Sequence, residues 1–188
     1  MVESSITARF AANPWRKRPK PVVPTTHDGL AADLAAWLRC SRTEGPVRIT
    51  WENIEFPDMG RYQRVNALGI RPDVFSIVAT LTESKWAPTI HEVKISRSDF
   101  LADVRKGKWE GHKKIAKYIW FACPEGLIDV AELPAGTGLI VRDRYNWHVV
   151  KRPTRNPKWR ITNRQWMNLC MKAQRPGPYG REGKDPYG

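Results

Sequence analysis

The stretch RPDVFSIVATLTESKWAPTIHEVKISRSDFLAD, residues 71–103, decides the fold. It holds two apolar runs, 74–81 and 89–95, and the turn-forming segment TESKWAP lies between them. Such runs predict two strands, and the short segment between them predicts an antiparallel hairpin. Pro72-Asp73 precedes the first run, and Glu92-Val93-Lys94 lies inside the second. Since strands disfavour Asp, Glu and Lys, these charges indicate a role beyond sheet packing.

Side chains alternate along a strand, so Glu92 and Lys94 are predicted to share one face, and Asp73 can approach them from the neighbouring strand. Two carboxylates and the backbone carbonyl of Val93 are hard oxygen ligands that suit Mg²⁺ or Mn²⁺. Such a metal polarises a phosphate and lowers the pKa of its bound water. Lys94 would orient or deprotonate that water, or stabilise the developing charge. On these residues alone, a buried ion pair of Lys94 with Glu92 or Asp73 is the alternative.

The residues after this hairpin predict a helix and a third, parallel strand. Ser96-x-x-Asp99 matches a capping box, which explains both residues as a helix start more readily than as catalytic groups, although they lie near the proposed site. Gly107 is expected to break or kink the helix. The apolar run 118–123, YIWFAC, predicts a buried strand, and a helical crossover makes it parallel to its neighbour.

The flanking segments complete an α/β pattern. A helical apolar stripe runs through Leu30, Leu34 and Leu38, with Asp28 as the expected N-cap. Residues 47–56 alternate as a half-buried strand, while 139–141 and 147–150 predict two further short strands. Thr162 can cap a C-terminal helix. The order predicts a core of helix, three strands, helix and strand, with a mixed sheet flanked by helices.

The net charge of +13 is concentrated at the two ends of the 188 residues. Residues 1–24 carry five basic against one acidic side chain, and residues 151–188 carry ten against two, so the middle is nearly neutral. We therefore expect a basic Pro-rich arm over 1–26, a central domain over 27–150, and a basic extension over 151–188 with one helix and a disordered tail. Basic ends indicate contact with a polyanion, although a solubilising tail would have the same composition. The expected phosphate contacts are Arg16, Lys17, Arg18, Lys106, Lys108, Lys151, Arg152, Arg155, Lys158, Arg160 and Arg164.

The composition argues against a membrane or exported protein. No apolar run approaches the roughly 18 residues of a membrane span, and the N-terminus lacks the apolar core of a signal peptide. We expect a soluble, cytoplasmic protein.

Pro72-Asp73 and Glu92-Val93-Lys94 together resemble the PD-(D/E)XK nuclease signature. The runs EVKISRSDFLADVRKGKW, KYIWFACPEGLI and LPAGTGLIV are similar to the MmcB-like DNA-repair branch of that superfamily and its phage-encoded relatives. The similarity covers roughly residues 30–150. It implies a restriction-endonuclease-like core and DNA cleavage dependent on Mg²⁺ or Mn²⁺, endonucleolytic rather than exonucleolytic, in repair, recombination or phage DNA processing. Asp73 and Glu92 would then be metal ligands, and Lys94 the catalytic lysine.

The resemblance leaves several points open. The superfamily often adds an acidic residue from the first helix, for which Asp33 is the candidate, and Glu52 or Glu55 on the next strand could substitute. The number of metals is therefore undecided, and a homodimer is compatible with the pattern. A non-catalytic DNA-binding protein on a nuclease-like scaffold is the alternative function. A third reading is an RNA-binding or phage–host interaction protein.

Overall fold

A computed structural model describes residues 23–40, 45–56 and 69–173. The expected contacts Arg16, Lys17 and Arg18 lie outside these ranges. In chain order the elements are α1 (His27–Cys40), β1 (Arg48–Glu52), β2 (Val74–Val78), β3 (Thr89–Val93), α2 (Arg97–Lys106), α3 (Lys108–His112), β4 (Tyr118–Pro124), β5 (Gly138–Arg142), β6 (Trp147–Lys151) and α4 (Asn163–Ala173).

The six strands form one mixed, open sheet in the sequential order β1 to β6. The β2–β3 pair is antiparallel with Val74 opposite His91, which confirms the predicted hairpin. The α2–α3 segment then crosses over, and β4 runs parallel to β3 with Ala122 opposite Val93, as predicted. β5 continues the parallel part, and β6 returns antiparallel to it. The predicted α/β class and the mixed sheet flanked by helices are confirmed.

Each face of the sheet is covered by different helices. On one face α1 buries Leu30, Leu34 and Leu38, which recur every four residues and so lie on one side of the helix. On the other face the core includes Phe100 of α2 and Leu169 of α4. Since β3 is central, successive side chains of this strand enter opposite cores.

Local backbone chemistry shifts several predicted boundaries. The Thr26 hydroxyl accepts the backbone N–H of Gly29 at 3.2 Å, so Thr26 caps α1 and Asp28 lies in its first turn, contrary to the prediction. β1 ends at Glu52, where Asn53 takes a positive φ of 49°, and so does not extend to Phe56. The predicted break at Gly107 is confirmed, because its φ of 61° ends α2.

Residues 152–173 pack back onto the central sheet. The backbone N–H of Asn156 donates to the carbonyl of Lys117 at 2.9 Å, and that of Arg160 donates to Lys114 at 2.8 Å. α4 begins with a reciprocal cap between Thr162 and Gln165 and buries Leu169. The first part of the basic extension is therefore integral to the fold, whereas residues 174–188 lie outside the described ranges. Within the described chain, no helix has the length and apolarity that crossing a membrane requires.

Candidate active site

Asp73 lies where β2 and β3 separate, and it extends their ladder with its side chain. The backbone N–H of Val93 donates to Asp73 Oδ2 at 2.8 Å. The N–H and C=O of one strand residue point to the same side, so the Val93 carbonyl also faces the Asp73 side of β3. The next residue confirms the alternation, because the Lys94 N–H donates to Ala122 of β4 at 2.8 Å. The carboxylate of Asp73 and the carbonyl of Val93 thus lie along the same edge of β3.

Glu92 is a buried carboxylate without a hydrogen-bond donor. Its side chain is 2 % exposed, and neither carboxylate oxygen has a hydrogen-bond partner among the described residues. Lys108 Nζ lies 3.7 Å from Oε2, and His112 Nε2 lies 3.3 Å from Oε1 without the alignment of a hydrogen bond. Burial and the nearby Asp73 raise the pKa of Glu92 to about 8, although Lys108 and Lys94 pull it down. With this pKa the Glu92 carboxyl group is mostly protonated at neutral pH, and a further cation beside it would favour its ionised form.

Lys94 is a buried cation held by the acidic residues of α2. Its Nζ lies 2.5 Å from Asp103 Oδ2, 3.3 Å from Asp99 Oδ2 and 4.0 Å from Glu92 Oε2. Burial lowers the pKa of Lys94, but the hydrogen bond to Asp103 and the surrounding carboxylates outweigh it and leave that pKa above its usual value. Lys94 is therefore protonated at neutral pH.

The helices α2 and α3 place their charged side chains opposite Lys94 and Glu92, which lie at the end of β3. Ser96 caps α2 by accepting the N–H of Asp99 at 3.3 Å, which confirms the predicted helix start. Asp99 and Asp103 are one turn apart and face Lys94. After the left-handed Gly107, Lys108 and His112 of α3 are one turn apart and face Glu92. Ser96 is thus the N-cap, whereas the Asp99 carboxylate lies 3.3 Å from Lys94 Nζ, and the reciprocal hydrogen bond of the predicted capping box is not found among the described residues.

His27 at the start of α1 reaches Asp73 from the other side. Its Nε2 lies 3.2 Å from Asp73 Oδ2, the same oxygen that accepts the Val93 N–H. Both contacts fall on Oδ2 and orient the carboxylate, while Oδ1 receives no hydrogen bond from the described residues. The other oxygen of Asp73 is therefore available to a ligand.

The charges of the cluster fit a divalent cation. Four carboxylates, Asp73, Glu92, Asp99 and Asp103, surround two ammonium groups, Lys94 and Lys108. The orphaned oxygens of Glu92 and the Asp73–Val93 edge offer oxygen ligands on one side of this cluster. Within the described ranges no three His, Cys, Asp or Glu side chains converge as a metal cage. Carboxylate and carbonyl oxygens are ligands of the type that Mg²⁺ and Mn²⁺ take, with water or phosphate as the remaining ligands.

The additional acidic candidates are not brought to this cluster. Asp33 accepts from Arg142 Nε at 2.7 Å and from Trp147 Nε1 at 2.9 Å on the α1 face of the sheet. Glu52 lies 3.6 Å from Arg39 of α1, and Glu55 is exposed. Asp33 and Glu52 are thus engaged elsewhere, because α1 presents Asp33 to β5 and β6 and Arg39 to Glu52.

The predicted phosphate contacts of the described chain fall in different places. Lys108 belongs to the cluster itself, while Lys106 and Arg164 are exposed on α2 and α4. Lys151 ends β6, and Arg152 lines a cavity on the α1 face. Arg155 and Lys158 line a second cavity, where they join Lys113 and Lys117, and Arg160 lies in a third beside three tryptophans.

Sequence reasoning missed His27, Asp103 and His112 as neighbours of the site. The i, i+4 spacing of Asp99 with Asp103, and of Lys108 with His112, was a usable signal, because each pair lies on one helix face. No local pattern joins His27 to Asp73, since their contact depends on how α1 crosses the sheet.

Comparisons with known proteins bear on the fold and not on the activity. No protein-family model matches the chain, and no curated protein matches it. Among solved structures, the chain is similar to a protein of unknown function from Silicibacter pomeroyi, with 24% sequence identity and a TM-score of 0.50. The alignment covers 76% of this chain and 80% of that chain. At this identity the likeness bears on the fold alone.

Proposed function

We propose that the protein is a metal-dependent nuclease that hydrolyses phosphodiester bonds in DNA. One observation carries the proposal: among the described residues both carboxylate oxygens of Glu92 are buried without a hydrogen-bond donor, while Asp73 interacts with this carboxyl group electrostatically and Lys94 Nζ lies 4.0 Å from Oε2. Ionising a buried carboxyl group costs several kcal/mol by order of magnitude unless cations compensate it, and Lys108 and Lys94, at 3.7 and 4.0 Å from Oε2, leave the pKa of Glu92 raised. A divalent metal supplies that compensation.

Asp73, Glu92 and the carbonyl of Val93 would hold Mg²⁺ or Mn²⁺ at this site. Bound there, such a metal would supply polarisation of the scissile phosphate and a lower pKa for a water nucleophile. Lys94, protonated because of its acidic neighbours, stabilises the negative charge that develops on the phosphate. Asp103 and Asp99 fix the direction of the lysine, and His27 fixes that of Asp73.

DNA is the proposed substrate because of the charge distribution and the similarity described above. The net charge of +13 and the basic C-terminal segment favour contact with a polyanionic backbone. The resemblance to MmcB-like proteins favours endonucleolytic cleavage in repair, recombination or phage DNA processing, in the cytoplasm of a bacterium or of a phage-infected host.

The direct test is cleavage of plasmid, single-stranded and branched DNA with Mg²⁺ and with Mn²⁺. We expect wild type and Glu110→Gln to cleave, since Glu110 is an exposed carboxylate of α3. Asp73→Ala and Lys94→Ala should lose activity by about 100-fold or more, as removal of such groups does elsewhere. Calorimetric titration with Mn²⁺ should give saturable binding that Asp73→Ala loses. Wild type as inert as Asp73→Ala on every DNA and with both metals would refute the proposal.

A non-catalytic DNA-binding protein is the second candidate, and one observation favours it. Glu92 is 1 % exposed, and Lys94 is already paired with two carboxylates, as in a structural ion network. This alternative predicts salt-dependent DNA binding without turnover, unchanged in Lys94→Ala. Truncation should begin at residue 174, because Leu169 is part of the core. If removal of 174–188 leaves both the affinity and its salt dependence unchanged, that tail makes no phosphate contact.

A further inference from the structure

A second cluster of polar and aromatic groups lines a cavity on the α1 face of the sheet. The cavity has a volume of about 80 Å³. Its wall includes Trp37 of α1, Arg48 of β1, His91 of β3, Trp120 of β4 and Arg152 beyond β6. These residues come from five segments, so the cavity is a product of the whole fold. Since Glu92 follows His91 in the strand, its side chain points to the opposite face, and the cavity is separate from the candidate active site.

Arg48 is a cation whose hydrogen-bond partners among the described residues are neutral. Its Nε donates to Ser76 Oγ at 2.8 Å, and its Nη2 donates to the Ala87 carbonyl at 2.6 Å and to Thr89 Oγ1 at 2.7 Å. Burial lowers the pKa of Arg48 to about 10. Among the described residues no carboxylate lies within ion-pair distance of this guanidinium. A fixed cation that is desolvated and surrounded by neutral oxygens is a ready partner for an anion.

His91 adds an unused polar atom to the same wall. The residue is 3 % exposed, and its Nδ1 is buried without a hydrogen-bond partner among the described residues. Unsatisfied polar atoms in a folded interior are uncommon, because leaving one unpaired costs about 1–3 kcal/mol. A ligand group or a water in the cavity can supply the missing partner.

Two tryptophans and a second arginine complete the wall. Trp37 and Trp120 are half-buried, and the Trp120 ring lies nearly parallel to His91, at 13° with centroids 6.4 Å apart. Arg152 is exposed and brings a second positive charge. Half-buried indole faces bind flat rings by stacking, and guanidinium groups bind phosphate or carboxylate oxygens by paired hydrogen bonds.

We propose that this cavity binds a small organic anion that carries a flat ring, such as a nucleoside monophosphate. The anionic group lies against Arg48 and Arg152, this group or a water bound with it gives His91 Nδ1 its partner, and the ring packs on Trp37. The enclosed volume suits the anionic group alone, so the ring lies at the open side. This site does not depend on the proposed nuclease activity.

The test is calorimetric titration of the full chain, in EDTA, with four probes: deoxyadenosine monophosphate, benzoate, inorganic phosphate and deoxyadenosine. We expect saturable binding of a ring-bearing anion, deoxyadenosine monophosphate or benzoate, at least about tenfold tighter than inorganic phosphate or deoxyadenosine. The phosphate and carboxylate arms identify which anionic group the site prefers. Binding should also quench tryptophan fluorescence.

Matched variants locate the binding. Arg152→Gln should weaken it by about five- to tenfold, while Arg155→Gln, an exposed arginine of the same segment outside the cavity, should change it by less than about twofold. Trp37→Leu should weaken the binding of the ring-bearing probe and leave the affinity for inorganic phosphate unchanged. Asp73→Asn, on the opposite face, should bind as wild type does. No saturable binding of either ring-bearing probe, equal effects of the two arginine variants, or loss of binding in Asp73→Asn would overturn the proposal.

Discussion

Replacing Glu92 by glutamine should make the metal-free protein more stable, although it removes a proposed ligand. The reason is that the folded state holds the Glu92 carboxyl away from water and beside Asp73, which raises its pKa to about 8 from the ordinary value of 4.5. A raised folded pKa means that the native state binds the proton more tightly than the unfolded state does. The contribution of the Glu92 carboxyl group to the free energy of unfolding is therefore fully present below pH 4.5 and is lost as the pH rises through 8.

The size of the effect follows from the same two values. At pH 7 Glu92 is ionised in the unfolded chain. In the folded chain it must either take up a proton or ionise in a buried place, and both lower the free energy of unfolding. With a pKa of about 8 in place of 4.5, that cost reaches about 3 kcal/mol, and relaxation of the nearby lysines reduces it, so we expect about 1–3 kcal/mol. Glutamine does not titrate, so Glu92→Gln should gain this amount at pH 7 and almost nothing at pH 4.5.

The assay is urea denaturation at pH 4.5, 7 and 9 in EDTA, with Glu110→Gln as the exposed carboxylate control. Adding Mn²⁺ should then stabilise wild type and leave Glu92→Gln unchanged, because a ligand stabilises only the state that binds it. A Glu92→Gln variant that is less stable than wild type at pH 7 in EDTA, or a stability difference independent of pH, would refute the reasoning. Either result would mean that Lys94 and Lys108 already satisfy an ionised Glu92.

Three further predictions concern other parts of the fold. Burial lowers the pKa of His91 to about 3 from 6.5, so the contribution of this residue to stability is present above pH 6.5 and is lost as the pH falls toward 3. Between these two pH values, the free energy of unfolding of His91→Phe, measured by urea denaturation, should therefore fall less than that of wild type. Asp103→Asn removes the 2.5 Å partner of the buried lysine and should cost about 1–3 kcal/mol in unfolding free energy, whereas Asp99→Asn, whose side chain is 47% exposed, should cost less. A Cβ at Gly138 would lie 2.7 Å from a tryptophan ring atom and 2.8 Å from a backbone carbonyl, so Gly138→Ala should lower the free energy of unfolding by about 1–3 kcal/mol. A Cβ at Gly111 meets no atom within 4 Å, so Gly111→Ala should not lower it. Comparable stability of the two alanine variants would contradict this packing.

The secondary structure was predictable where a continuous apolar run or a single glycine fixes the local backbone. The two apolar runs on either side of TESKWAP predicted the hairpin, and the run YIWFAC predicted β4, because buried strands of this kind need few polar side chains. Gly107 ended α2 as expected, since its positive φ suits glycine. The cap of α1 was misjudged because Thr26 and Asp28 are both good cap residues, and the sequence alone does not say which one takes the extended backbone.

The neighbourhood of the site was harder to predict because its contacts are long-range. The placement of Asp73 beside Val93, and of Glu92 with Lys94 on one face, followed from the strand period of two. Arg97 and Lys106 are the basic residues that share a helix with Asp103 and lie near it in the sequence. The structure pairs it with Lys94 instead, since the buried ammonium has greater need of a carboxylate than an exposed arginine has.

The alternation of β1 also misled in one respect. In the alternating pattern of residues 47–56, Arg48 is one of the polar residues, which a half-buried strand would turn away from the core. Its guanidinium instead reaches over β2 to the start of β3, where it meets Ser76, Ala87 and Thr89. A long side chain at a sheet edge can bury its head group among backbone carbonyls, which a pattern of polar and apolar letters does not express.

Strand β3 carries Glu92 toward one layer and His91 toward the other, and this arrangement limits how the chain can change in length. Inserting one residue within Thr89–Val93 would exchange the two faces, so that the imidazole would enter the acidic cluster and the carboxylate the tryptophan-lined cavity. Inserting two residues would restore the faces but move each side chain by about 6–7 Å along the strand. The connecting segment around Glu83–Lys85 is under no such restriction, because its side chains are exposed. We therefore expect natural variants to lengthen the hairpin at its turn and to keep the number of residues from Thr89 to Lys94 constant.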